Sequence, residues 1–348
     1  MLRRLFPILL FFTCACISRS QPAITQVSSL SKEQWDQVEI TNHTNKDEVT
    51  FLVLGDMGTG GLNQQAVANA MLAFCEQPDS SCDFVVTLGD NIYRSGIRSP
   101  ADNKLSTHFE NPYAGFGRMD FWMTPGNHDW RQTDSVQSEV DYTLQSERWR
   151  MPNNHYAVPN LPPWLHLYSV DTTILQRDSE DSENEAIVQI VDEMLSAAQE
   201  DLCKKPGWRI LFAHHPIYSS GKHGLREDRS GITTSINQGL GGLVAECDIQ
   251  LHMAGHDHHQ ELIKTDELIQ IVQGAGGRYL RQLPESSELV GERWSAVRFG
   301  FAAITASADQ LIIRYFAVDS FGGGWRKLCE WVISIDGKIE NVSADCEL

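Results

Sequence analysis

Five short clusters in the 348-residue chain carry side chains able to hold metal ions. Asp56 follows Gly55, and Asp90 follows Gly89. Asn127, His128 and Asp129 follow Pro125-Gly126, His214 and His215 precede Pro216, and His256, Asp257 and His258 follow Gly255. Carboxylate, imidazole and amide oxygen are ligands of hard or borderline cations. Asp56, Asp90, Asn127, His214, His256 and His258 are too many for one catalytic zinc, which uses three protein ligands and an open position. Two ions sharing a carboxylate fit better. Paired ions about 3.5–4 Å apart clamp both ends of an in-line phosphoryl displacement.

Each cluster stands at the end of an apolar, β-branched run of strand character. The runs are Val49–Leu54, Phe84–Leu88, Phe121–Thr124, Trp208–Ala213 and Ile249–Met253. Asn63–Phe74 and Ile187–Leu202 have apolar positions at helical spacing. Strands alternating with helices predict an α/β domain, in which ligands gather at the C-terminal ends of the strands. The glycine before most clusters permits a sharp turn there. Ala296–Ala306, Gln310–Val318 and Leu328–Ile335 predict antiparallel strands. Arg177–Glu185 reads as an acidic solvated loop. Gly239-Leu240-Gly241-Gly242 lacks dinucleotide-loop spacing and reads as a turn.

The ordered set GDMG, GDNIY, GNHD, AHHP and GHDH resembles the calcineurin-like metallophosphoesterases, from about Val49 to about Val318. Tyr93, three residues after Asp90, narrows the resemblance to the small, tartrate-resistant type of purple acid phosphatase. The fold implied is a four-layer α/β/β/α sandwich of two mixed sheets, with a dinuclear site at the strand C-terminal edge. By matched position, Asp56, Asp90, Tyr93 and His258 would hold Fe(III). Asp90, Asn127, His214 and His256 would hold a second ion, Fe, Zn or Mn, with Asp90 bridging. His128 resembles the histidine facing the leaving group, and His223 one used for substrate. Gln273-Gly274-Ala275-Gly276-Gly277 matches a turn after the next strand.

Two positions depart from the family. His215 stands where Tyr is usual and reads as packing or supporting the ligands rather than binding substrate. Met57 stands where small members often carry Trp. Asp129 is expected to orient His128, His259 to face solvent, and His155, His166 and His252 to be core or strand residues.

The resemblance implies an acid phosphatase that cleaves phosphate monoesters by attack of a metal-bound hydroxide, with His128, and His223 beside it, protonating the leaving group. A phosphodiesterase or nucleotide pyrophosphatase on the same scaffold is the alternative, as are a non-catalytic phosphate-binding surface protein and a redox protein built on the di-iron pair. With 46 acidic against 28 basic residues the formal net charge is −18. Such a surface repels nucleic acid and anionic lipid, so a phosphate site must create its own positive charge. Small phosphorylated substrates or phosphoproteins are the expected partners.

Arg3 and Arg4 precede an apolar run from Leu5 to Ile17, a signal-peptide pattern over residues 1–20, with Cys16 as a possible lipid anchor. Residues 21–48 read as an arm and 49–348 as the catalytic domain. The location expected is secreted, periplasmic or envelope-anchored. Cys75–Cys82 and Cys329–Cys346 read as local bridges. Cys203 and Cys247 read equally as a third bridge or as buried thiols. Asn42-His43-Thr44 and Asn341-Val342-Ser343 are glycosylation sequons, meaningful only in a eukaryotic host.

Overall fold

The computed structural model describes residues 24–180, 184–227, 233–285, 289–319, 324–342 and 346. The signal-peptide segment, Cys16 and Ser343 of the second sequon lie outside them. The first strands are β1 (Glu48–Leu54), β2 (Phe84–Thr87), β3 (Phe121–Trp122), β4 (Trp149–Arg150) and β5 (Tyr156–Ala157). Then come β6 (Leu165–Val170), β7 (Trp208–Ala213), β8 (Leu251–Ala254), β9 (Gln260–Lys264) and β10 (Ile269–Gln273). The last are β11 (Glu292–Ala296), β12 (Gly300–Ser307), β13 (Gln310–Val318), β14 (Trp325–Ser334) and β15 (Ile339–Asn341).

They form two mixed sheets. One has the order β15-β14-β13-β12-β1-β2-β3-β4, the other β11-β9-β10-β8-β7-β6-β5. Strands β1 to β4 run parallel, and β12 closes antiparallel on β1. Strands β6, β7, β8 and β10 are parallel in the second sheet. Such strands are buried on both faces, which is why β1 is apolar along nearly its whole length instead of alternating. Phe51 of β1 stacks on Phe84 of β2 at 5.1 Å.

The sheets face each other. Trp294 of β11 meets Tyr315 of β13 at 4.9 Å and Trp331 of β14 at 5.2 Å. The indole N–H of Trp208, on β7, donates to the Ser307 carbonyl of β12 at 2.8 Å. Parallel neighbours need crossovers. The helix Leu62–Cys75 carries β1 to β2, Thr172–Glu180 and Glu185–Leu202 carry β6 to β7, and Thr234–Glu246 carries β7 to β8. The ends of β1, β2, β3, β7 and β8 therefore open on one region.

Three local readings are corrected. The stretch Ala296–Ala306 divides, because β11 pairs with β9 and β12 with β1, and one continuous strand cannot belong to both sheets. Arg177–Glu180 extends the helix that buries Ile174 and Leu175 and is not loop; residues 181–183 are not among those described. Gly239–Gly242 is not a turn but the middle of the helix Thr234–Glu246. A Cβ at Gly239 would lie 3.0 Å from the Leu175 side chain, so glycine there allows two helices to approach closely.

The disulfides are Cys75–Cys82, Cys203–Cys247 and Cys329–Cys346. Among the described residues no helix is long and apolar enough to cross a membrane.

Candidate metal centre

Three of the expected ligands sit in backbone conformations that side chains other than glycine seldom adopt. The φ angles are +56° at Asp56, +52° at Asp90 and +68° at His256. Strain of this kind persists where the surroundings hold it. Here the Asp56 amide donates to the Gly89 carbonyl at 3.0 Å, and the His256 amide to Asp56 Oδ2 at 2.7 Å. The His128 amide donates to Asp90 Oδ1 at 2.8 Å. Gly126 admits this crossing, since a Cβ on it would lie 2.3 Å from the Asp90 nitrogen.

The donor atoms fall into two adjacent groups. In one, His214 Nδ1–H donates to the Leu88 carbonyl at 2.8 Å. A neutral imidazole has one N–H, so Nε2 then carries a lone pair. That lone pair faces Asn127 Oδ1 at 3.1 Å, His256 Nδ1 at 3.0 Å and Asp90 Oδ1 at 3.5 Å. In the other, His258 Nδ1–H donates to the Tyr279 carbonyl at 2.7 Å, which turns its Nε2 lone pair on Asp56 Oδ1 at 3.3 Å and on the Tyr93 hydroxyl at 3.5 Å. Apart from the Tyr93 hydroxyl, which gives its proton to Asp56, these converging acceptors repel, and a cation between them removes the repulsion. The backbone carbonyls fix each tautomer, as is usual behind metal-ligating histidines. The donor set therefore fits metal ions.

Tyr93 is 4% exposed, and its hydroxyl donates to Asp56 Oδ1 at 2.8 Å. Burial, then the Asp56 and Asp90 carboxylates, pushes the phenol far above its usual pKa. A phenolate there requires a strong cation. Burial, and after it the neighbouring histidines, holds His256 well below the usual imidazole value, so it offers a lone pair.

Around these donors stand the other expected residues. His128 Nδ1–H donates to the Arg94 carbonyl at 2.5 Å, and its Nε2 lies 3.9 Å from Asp90 Oδ2. The His223 ring lies 4.1 Å from that of His256, and its Nε2 accepts from Arg281. His215 is buried. Its amide donates to Thr172 Oγ1 at 2.9 Å, its Nδ1 pairs with the same oxygen, and its ring packs 4.3 Å from His256. Asp129 does not orient His128. Its carboxylate instead accepts the amides of Gly126, Asn91 and Ile92 at 2.8, 3.1 and 3.1 Å, tying the loops after β2 and β3 together. His259 does not face solvent but is 1% exposed, with Nε2 3.0 Å from Glu261 Oε2, because it stands just before β9, two residues from Glu261 and on the same side of the chain. His252 is buried on β8, His166 lies on β6 against the Pro206 carbonyl, and His155 lies 3.2 Å from the Tyr168 hydroxyl.

Sequence reasoning missed the wall built by the turn after β10. Arg278 stacks 4.7 Å from the centres of both Tyr93 and Tyr279. Arg281 donates to His223 and, at 3.2 Å, to the Tyr279 hydroxyl. That hydrogen bond, followed by burial acting the opposite way and by the charges of Arg281, Arg278 and Lys222, brings the Tyr279 phenol below its usual range. Two arginines just past a glycine turn in so acidic a chain are the signal that could have found it.

A model of the calcineurin-like phosphoesterase family matches residues 49–260. Purple acid phosphatase 17 of Arabidopsis thaliana is 30% identical over 258 residues, covering 67% of this chain and 70% of that protein. Tartrate-resistant acid phosphatase type 5 of Mus musculus is 24% identical, covering 66% and 72%. Among solved structures, GAP50, the anchor in the inner membrane complex of Plasmodium, superposes with a TM-score of 0.63 at 22% identity over 81% of this chain and 89% of its own. The purple acid phosphatase PPD1 from yellow lupin (Lupinus luteus) seeds gives 0.59 at 17% identity, covering 83% and 54%.

Proposed function

The chain belongs to the calcineurin-like phosphoesterase family, and from that premise we propose that it is an acid phosphatase, hydrolysing phosphate monoesters at an Fe(III)–M(II) centre in which M is Fe, Zn or Mn. Asp56, Asp90, Tyr93 and His258 would hold the ferric ion, and Asp90, Asn127, His214 and His256 the divalent one. When bound, such a pair supplies Lewis acidity toward the phosphoryl oxygens and an activated water. The observation that carries the reading is the convergence of carboxylate, imidazole, phenol and amide oxygen or nitrogen atoms in two adjacent groups. The Tyr93 phenol beside Asp56 and His258 supports iron at one position.

The chain's own residues do the rest. Asp90, fixed by the His128 amide, sets the distance between the two donor groups. His128 is anchored at Nδ1 by the Arg94 carbonyl, which leaves Nε2 as the nitrogen that delivers a proton to the leaving oxygen. The hydroxyls of Ser219 and Ser220, in the loop before His223, are committed to Asp257 Oδ2 at 2.6 Å and to Glu261, so the reading uses no serine nucleophile. Three disulfides support a location outside the reducing cytoplasm, secreted, periplasmic or envelope-anchored. Small phosphorylated molecules or phosphoproteins are the substrates this reading supplies.

The test compares aryl and alkyl phosphate monoesters with bis(p-nitrophenyl) phosphate across acid and alkaline pH, using metal-loaded protein. Monoester turnover with an acid optimum is expected. Faster diester cleavage with an alkaline optimum would overturn the reading in favour of a phosphodiesterase.

A further inference from the structure

The loop after β7 brings the His223 ring to 4.1 Å from that of His256. Its polar groups are held by side chains from the turn after β8, from β9 and from β10. The amides of Ile217 and Tyr218 donate to Gln270 Oε1 on β10 at 2.8 and 3.1 Å. The Ser219 hydroxyl donates to Asp257 Oδ2, in the turn after β8, at 2.6 Å and accepts from the Gly221 amide at 2.9 Å. The Ser220 amide donates to Glu261 Oε2 on β9 at 3.0 Å, and the Ser220 hydroxyl donates to Glu261 Oε1. The His223 amide donates to Asp257 Oδ1 at 3.4 Å. Two glycines permit so close a fit. A Cβ at Gly221 would lie 2.3 Å from Asp257 Cγ, and one at Gly224 would lie 2.4 Å from the Ser219 carbonyl oxygen.

Glu261 is the member of this set that most needs a reason. Its side chain is fully buried, and a buried carboxylate is costly unless it is paired and hydrogen-bonded. Besides the two groups of Ser220, it is met by His259 Nε2 at 3.0 Å and by Arg293 Nη1 at 3.5 Å, and Arg293 Nη1 also donates to Ser220 Oγ at 3.0 Å. Its backbone is as firmly placed. Glu261 stands opposite Val272 of β10 and Ser295 of β11, and its carbonyl accepts from the Tyr315 hydroxyl of the facing sheet at 2.6 Å. A buried ion pair adds little stability over apolar residues of similar volume. What this one supplies is a fixed point that grips a loop residue by both amide and hydroxyl, three positions before His223.

We propose that Glu261 is a positioning residue for His223. By holding Ser220 it sets where the His223 ring stands beside the metal centre, without itself touching substrate or metal. This rests on the phosphatase reading, in which His223 serves the substrate. Reacting geometry is sensitive to such support, since a displacement of about 1 Å can cost on the order of 10²-fold in rate.

The experiment is a double-mutant cycle on the full-length, metal-loaded protein, read as kcat/KM for p-nitrophenyl phosphate. Glu261→Gln keeps the shape of the side chain and removes its charge. Ser220→Ala removes the hydroxyl contact, leaves Glu261 in place, and carries the test if Glu261→Gln does not fold. Each change alone is expected to lower kcat/KM about tenfold. Made on top of His223→Ala, the same change should cost less than about twofold, because the residue it acts through is gone. Bound metal, by elemental analysis, should be equal in all of them. Equal losses in both backgrounds would make Glu261 a general support of the fold and overturn the proposal. Loss of metal would also overturn it, since the effect would then run through His259 to the ligand His258. So would undiminished activity in both single variants. If wild-type protein hydrolyses no monoester, the phosphatase reading fails, and the same cycle run on the calorimetric Kd of inorganic phosphate decides the positioning role. There, non-additive changes support it and additive ones overturn it.

Discussion

His214 turns its Nε2 toward the amide oxygen of Asn127, 3.1 Å away, with its Nδ1–H given to the Leu88 carbonyl. Burial lowers the imidazole pKa, but the Asp90 and Asp56 carboxylates outweigh it and raise the pKa, so the surroundings favour positive charge at this ring. A metal ion at Nε2 supplies that charge in place of a proton. Removing metal by chelation should therefore lower the melting temperature, by on the order of 5–10 °C if the ions bind the folded chain well above their Kd. His214→Ala should reduce the bound metal to about one ion per chain by elemental analysis while the other donor group keeps its own. A chelated protein that melts where the loaded one does would count against the centre.

Tyr93 tests which ion occupies the other group. A phenolate bound to ferric iron absorbs visible light, so oxidised iron-loaded protein is expected to be pink to violet. Tyr93→Phe keeps the buried ring and removes the oxygen that reaches Asp56. The colour should vanish, the fold should survive, and ferric iron should bind less tightly while the second ion is little affected. An iron-loaded wild type that is colourless when oxidised, or a Tyr93→Phe variant with the same band, would sink the assignment.

The ligands are legible in the chain because their clusters follow strands of mainly apolar residues, most of them with glycine at the turn. The strands β9 and β10 are harder to read, because buried polar residues interrupt them. Gln270 is fully buried and serves as a linchpin, accepting from the Ile217 and Tyr218 amides at 2.8 and 3.1 Å. His259 looks like a polar tail to its motif until Glu261 is found beside it. The glycines of the helix Thr234–Glu246 suit a turn equally well, and only the contact with Leu175 decides for helix. Arg278 and Arg281 acquire meaning from the turn that aims them, and turn geometry of that kind is written in long-range backbone hydrogen bonds rather than in local spacing.

His128 should act in proton transfer and not in holding metal. His128→Ala is expected to retain its full metal content and to lose about 10²–10⁴-fold in turnover of alkyl phosphates. The loss should be much smaller for aryl phosphates, whose leaving oxygen needs little help from a proton. Plotting rate against leaving-group acidity for wild type and variant checks this. Parallel lines, meaning an equal loss for every ester, would remove the acid role from His128.

His252 should make the protein less stable in mild acid, although the activity proposed for it is acidic. Its ring is fully buried on β8, with Nδ1 3.1 Å from Gln270 Oε1 and no partner for Nε2. Burial, opposed by the Gln270 hydrogen bond, lowers its pKa to about 4 from an ordinary 6.5. As pH falls below 6.5, the unfolded chain takes up a proton that the folded chain refuses until about pH 4. The unfolded state then binds more protons, so this contribution is fully present above pH 6.5 and is lost as pH falls toward 4. The loss between pH 7 and pH 5 amounts to about 2 kcal/mol. His252→Leu removes the titrating ring from within β8, before the turn that carries His256. Denaturant midpoints of wild type and variant, equally metal-loaded, should therefore diverge in their pH dependence, the variant losing about 2 kcal/mol less between pH 7 and pH 5 whatever its absolute stability. Parallel stability profiles over that range would show that His252 is protonated in the folded protein or that its burial costs nothing.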